Sequence, residues 1–193
     1  MQKGNTKKID SRILRSKRDL ANALEELLQE KNLDDISIQE ITERAMVSKN
    51  TFYNNFLDKN ELVMFIFERY AESIFAQAEP ILRQKGDKQQ RFIRCLEIVV
   101  HFFYIQPERF QKMIQNDHSK TMFWNINNFV QNVVSYIFEN YRELVGNDLP
   151  EKVVALYYSG AISNLIYFAF LEGPKLEEKD TVRYMAKLFT VLN

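Results

Sequence analysis

The sequence predicts an all-α protein of about nine helices, and three observations lead there. Apolar residues recur at the three- and four-residue spacing of a buried helix face along most of the chain. Proline and glycine are rare, four and five residues among 193, and so serve as punctuation. Neither an alternating strand pattern, a hairpin turn nor an internal repeat interrupts the periodic runs.

The elements follow in order. A first helix is expected from about Ser11 to Lys31, with Ile13, Leu20, Leu24, Leu27 and Leu28 on its inner face, and Asn32-Leu33-Asp34-Asp35 ends it. Ser37 is placed to cap the second helix, and Glu40 completes a capping box. Ile38, Ile41 and Ala45 then share one buried face. Met46-Val47 makes the connection. Ser48 caps a third helix reaching Phe56, on which Phe52 and Phe56 point inward. A fourth helix is expected from near Asn60 to Ala78, ahead of Pro80, and a fifth from Lys88 to Tyr104, closed by Gln106-Pro107. A short helix follows Pro107, and a long one from about Thr121 to Tyr141 stops at Gly146-Asn147-Asp148. Two final helices, about Pro150 to Leu171 and Leu176 to Leu192, are separated by Gly173-Pro174.

Composition narrows the class of protein. The chain is 46% apolar, ample for a core, and its 26 basic residues balance 26 acidic ones. The single cysteine, Cys95, cannot form an intrachain disulfide and is expected as a small buried hydrophobe. The start has charge but no apolar run behind it, so no secretory signal is expected. The most apolar stretch, Ala161 to Leu171, is too short to span a bilayer, and the protein is expected in the cytoplasm without membrane contact. Catalysis has little to stand on: two histidines, His101 and His118, and no glycine-rich phosphate loop. Glu97 and His101 sit four apart on one helix, a spacing ordinary for a surface ion pair, so neither a metal nor a cofactor is expected.

The most informative stretch is residues 36–62. Around the inward Phe52 and Phe56 it leaves Lys49, Asn50, Thr51, Tyr53, Asn54 and Asn55 facing out. Such a face suits a major groove, where amides and hydroxyls meet base edges while Lys and Tyr hold phosphates. Gln39, Ser48 and Lys59 complete the expected DNA-binding set. The first twenty residues carry Lys3, Lys7, Lys8, Arg12, Arg15, Lys17 and Arg18 against Asp10 and Asp19, a local charge of +5 for neutralising phosphates. Residues 1–8 read as a flexible basic arm.

The pattern Ile41, Ala45, Val47-Ser48-Lys49-x-Thr51-Phe52-Tyr53-x-x-Phe56-x-x-Lys59-x-x-Leu62 resembles the DNA-binding domain of TetR-family transcriptional regulators, over roughly residues 10–63. The family's common small residue after the turn lysine is Asn50 here, and its common aromatic-His pair is Asn54-Asn55. The resemblance implies a DNA-binding head at residues 1–62 and a ligand-binding and dimerising helical domain at 63–193. It implies a homodimer on a palindromic operator in double-stranded DNA. It further implies repression as the more common sense, with activation, or a protein-interaction module of the same fold, as the alternatives.

Of the 25 aromatic residues, 22 lie beyond residue 60. His101, Phe102, Phe103, Phe110, Met113, Phe123 and Trp124 are expected to line a pocket for a small apolar or aromatic ligand. The run Gly160-Ala161-x-Ser163-Asn164 through Glu172-Gly173 resembles one TetR subgroup, some members of which have little ligand cavity. Tyr157, Gly160, Ala161, Asn164, Leu165 and Phe168 place small and apolar residues on neighbouring turns of one helix, the expected dimer interface.

Overall fold

A computed structural model describes residues 11–105, 107–115, 120–140, 150–171 and 176–190. Among the described residues there are nine helices and no strand. They are α1 (Ser11–Leu27), α2 (Ile38–Arg44), α3 (Lys49–Tyr53), α4 (Lys59–Leu82), α5 (Lys88–Tyr104), α6 (Pro107–Gln115), α7 (Thr121–Asn140), α8 (Glu151–Leu171) and α9 (Glu178–Thr190). The chain divides into two compact units, Met1–Ile66 and Phe67–Asn193, at a point inside α4. The expected basic arm and the stops at Gly146-Asn147-Asp148 and Gly173-Pro174 lie outside the described residues.

The first unit is built on α1. Leu20, Leu24 and Leu27 are buried at its C-terminal half, together with Ile36, Ile41, Phe52, Phe56 and Leu62. Ile13, expected on the inner face, is instead 47% exposed. The seven-residue α2 is too short to cover both halves of α1, and it packs on the C-terminal one. Past Leu27 the backbone tightens, with Gln29 N–H donating to Glu26 O at 3.0 Å and Glu30 N–H to Leu27 O at 2.9 Å, so α1 ends short of Lys31.

Caps define α2 and α3. Ser37 Oγ accepts from Glu40 N–H at 3.2 Å while Glu40 Oε2 accepts from Ser37 N–H at 2.9 Å, a complete capping box. Lys31 donates to the same carboxylate. Ser48 Oγ accepts from Thr51 N–H at 3.1 Å and starts α3. This helix is five residues long and does not reach Phe56, because Asn55 Nδ2 takes the Thr51 carbonyl at 2.7 Å and closes it early. Phe52 still stands beside Phe56, ring centroids 5.9 Å apart, and Phe56 meets Phe65 at 5.5 Å. The Lys17 ammonium lies over both the Phe56 and Phe65 rings, at 5.2 and 5.4 Å.

Lys59 locks the unit. Its ammonium donates to the carbonyls of Leu33 at 2.7 Å, Asp34 at 3.3 Å and Ile36 at 2.6 Å. An ammonium has three donors, and all three are used here.

In the second unit α4 runs through Pro80, beyond the expected stop at Ala78. A proline two residues from the end of a helix forfeits a single backbone bond, so the last turn survives it. Asp87 caps α5 through Gln89 and Gln90 N–H, and Arg91 Nη1 donates to Leu82 O at 2.8 Å. The helices α7 and α8 run antiparallel. Phe123 meets Tyr167 at one end, centroids 5.0 Å apart, and Phe138 meets Tyr158 at the other at 5.7 Å. By length and composition α8 could cross a membrane, its mean hydropathy reaching 1.5 over Glu151–Phe170, a longer apolar run than Ala161 to Leu171. More than half of it is buried inside its unit, and its main neighbours are α7 and α6. A core helix of that kind is apolar for packing.

Two expectations follow for the first unit. Hydrogen bonding from Lys31, then from the Ser37 backbone and hydroxyl, holds the Glu40 carboxyl at about 2, below its ordinary 4.5. The folded state therefore binds fewer protons than the unfolded one, and this stabilisation is complete above 4.5 and lost as the pH falls towards about 2. Thermal unfolding of Glu40→Gln should show a deficit near neutral pH that closes across that window. Lys59→Ala removes the shared donor of three loop carbonyls and should cost about 1–3 kcal/mol, read as a lower denaturant midpoint.

Candidate nucleic-acid interface

The short α3 presents its two sides very differently. Phe52 is fully buried, while Lys49, Asn50 and Asn54 are exposed and Tyr53 is 57% exposed. Because α3 has caps at both ends and a buried ring beneath it, the outward side chains hold one bearing relative to the unit. On α2, the exposed Gln39 accepts from Lys49 Nζ at 3.2 Å and donates to Glu43 Oε1 at 2.8 Å, so an amide already oriented by two partners stands beside α3.

The remaining expected DNA-binding residues divide. Ser48 and Thr51 are occupied in the cap, their hydroxyls 3.0 Å apart. Asn55, expected at base edges, is half-buried with its amide on the Thr51 carbonyl. Lys59, expected on phosphate, has its three donors on the carbonyls of Leu33, Asp34 and Ile36. Sequence spacing carries no signal for either bond, because both residues also fit an exposed helix face.

Basic charge is partly consumed inside the unit. Arg44 bridges Glu30 at 3.0 Å and Glu26 at 3.3 Å, and these carboxylates push its guanidinium further up. Lys17 lies over its two rings, whereas Arg15 and Arg18 on α1 are exposed. Met46 is expected from the sequence only as part of the connection between α2 and α3. It occupies the left-handed region at φ +54° with its side chain 93% exposed.

In the second unit the expected pocket residues are distributed over several packing environments among the described residues. Phe102, Phe103 and Phe110 pack on one another, centroids 5.1 to 5.5 Å apart, and Phe129 closes the cluster. Phe123 packs on Tyr167, Trp124 is 60% exposed, and the Met113 side chain lies outside the described residues. Exposed His101 pairs with Glu178 of α9, Nδ1 to Oε1 at 2.8 Å, rather than with Glu97. A cavity of about 30 Å³ lies elsewhere, between α5, α7 and α8, lined by Phe92, Cys95, Val99, Val133, Tyr158 and Ile162 among others. Burial there pushes the Cys95 thiol up to about 11. An open groove of about 930 Å³ runs along α4, α5 and α9.

The expected interface residues lie together on α8. Tyr157, Ala161, Asn164 and Phe168 are exposed, Leu165 is half-buried, and nothing approaches the position of a Cβ on Gly160. Asn164 Nδ2 donates back to Gly160 O at 2.7 Å, which leaves the stripe mainly apolar.

Comparison with known proteins places these features. The family described as "Bacterial regulatory proteins, tetR family" matches at residues 20–64, which hold α2, α3 and the buried part of α1. The chain is 28% identical over 172 residues to the HTH-type dhaKLM operon transcriptional activator DhaS of Lactococcus lactis subsp. lactis, covering 82% of this chain and 81% of that one. It is 25% identical over 96 residues to the HTH-type transcriptional activator FasR of Mycolicibacterium smegmatis, half of this chain and 44% of that protein. The fold is similar to that of Thermus thermophilus FadR, a TetR-family repressor in complex with lauroyl-CoA, with a TM-score of 0.67 at 12% identity over 90% of this chain and 93% of that one. The capped helix-turn-helix and its outward polar face fall within the segment that matches the TetR family, and together with these likenesses they support a TetR-family transcriptional regulator.

Proposed function

We propose that the chain binds a palindromic operator as a homodimer, with α3 of each protomer in the major groove. The supporting observation is the outward face of α3, where exposed Asn50 and Asn54 stand between Lys49 and Tyr53 over the buried Phe52. The amides of Asn50 and Asn54 read base edges; the Lys49 ammonium and the Tyr53 hydroxyl hold phosphates. Gln39 helps aim Lys49. A second copy docks on the exposed stripe of α8, where Gly160 and Ala161 admit a close helix and Tyr157 and Phe168 supply area. The two-fold axis then sets the half-site spacing.

Occupying an operator represses by occlusion, and this is the first reading. Activation is the second, favoured by the activator DhaS, whose similarity runs along most of the chain. The small ligand, where one acts, is apolar: the internal cavity has no charged side chain in its lining. At about 30 Å³ it admits a ligand only if packed rings move. Such a ligand releases DNA only by preferring the DNA-incompetent arrangement, and DNA then weakens ligand binding by the same factor.

Selection from random duplexes, followed by titration, tests the DNA face. Asn50→Ala and Asn54→Ala should each relax preference at one base pair, by about 1–3 kcal/mol. Tyr53→Phe should weaken all sequences alike. Lys49→Ala should reduce the log-log salt slope by about one unit, and Lys59→Ala should leave it unchanged. An unaltered consensus for both Asn variants would remove them from the base edges.

The assembly has its own test. Ala161→Arg places an unpaired charge in the proposed apolar contact and should give folded, helical monomers by sedimentation. An intact dimer would move the interface elsewhere.

A further inference from the structure

The turn between α2 and α3 holds the one described non-glycine residue of the first unit with a positive φ, Met46 at +54°. That region is costly for a side chain bearing a Cβ, and glycine adopts it without penalty. Ala45 N–H donates to Ile41 O at 2.9 Å, Met46 N–H to Glu43 O at 3.1 Å and Val47 N–H to Thr42 O at 2.9 Å, so the backbone on both sides is pinned. The thioether gains nothing from packing in return, since Met46 is 93% exposed. Leu57, the other strongly exposed aliphatic residue near α3, carries no such strain.

A strained residue with an idle apolar side chain points to use outside the free chain. Its place narrows that use. Met46 stands two residues before the α3 cap Ser48, within about 7 Å of it along the chain. Its neighbours on the proposed DNA face are amides, hydroxyls and an ammonium. Along a groove edge the apolar feature that distinguishes one base from another is the 5-methyl group of thymine. An unbranched thioether adapts to such a contact.

We infer that Met46 is a specificity-determining residue, and that its side chain packs against the 5-methyl group of one thymine in each half-site. This rests on the DNA-binding mode proposed above and adds an apolar reading position to it.

The test uses the full chain and the operator duplex that it enriches from a random library. Each thymine is replaced in turn by deoxyuridine, which deletes only the methyl group. Affinity is measured for the wild type, for Met46→Gly and for Met46→Asn, the last being a residue that tolerates the left-handed backbone. The wild type should lose about fourfold at one thymine per half-site, the effect of one buried methyl. Both variants should bind the thymine duplex at least that much more weakly and be indifferent to the replacement at that position. Met46→Gly should also melt about 2–4 °C higher, so stability and affinity move in opposite directions. Variants that bind as tightly as the wild type, or that keep its deoxyuridine penalty at every position, overturn the contact while leaving the α3 face intact. A wild-type chain that enriches no duplex removes the DNA-binding mode and this contact with it.

Discussion

A helix of five residues has no stability of its own, because nucleation costs more than so few backbone bonds return. The whole first unit answers that constraint. Phe52 is fully buried under α3, Ser48 satisfies the Thr51 N–H in its first turn and Asn55 takes a terminal carbonyl. Phe56, Phe65 and the Lys17 ammonium continue the apolar seat beneath it. The bearing of the outward Asn50, Tyr53 and Asn54 is therefore a property of buried rings.

Charge in this unit is divided between scaffold and surface. Lys31 reinforces the α2 cap, Arg44 ties α2 to α1, and Lys59 holds three carbonyls of the loop that leads into α2. A cation committed to a carbonyl cluster or a carboxylate pair gives little to a phosphate, since its donors are already satisfied. Lys49 on α3 and Arg12, Arg15 and Arg18 on α1 are exposed, Arg15 lying 3.9 Å from Asp19. A formal net charge of zero is compatible with DNA binding because the basic residues are unevenly distributed along the chain.

The second unit solves a different problem with the same residue types. Its rings pack edge-on and tilted in a continuous cluster from Phe67 through Phe129 and Phe103 to Phe110. Tyr104 extends the order to α9, its hydroxyl donating to Leu176 O at 2.9 Å beside Thr181. α8 buries one side against α7 and α6 and leaves Tyr157, Gly160, Ala161 and Phe168 outward. A helix apolar on nearly every side belongs where both sides are covered, which is why the exposed one is the proposed seat of a second copy.

The sequence alone determined the all-helical class, most helix positions, the Ser37–Glu40 capping box, the Ser48 cap and the inward Phe52 and Phe56. These features are local: periodicity, capping and anchor spacing each act within a few residues. Only the tertiary structure decided that Lys59 serves Leu33, 26 residues away, that Arg44 serves Glu26 and Glu30, and that Ile13 faces solvent. It also decided that Phe102, Phe103 and Phe110 pack on one another, that a small cavity lies beside Cys95, and that Met46 stands in a left-handed turn. A donor's partner and a ring's neighbour depend on where distant segments come to rest, and a spacing rule carries no information about that.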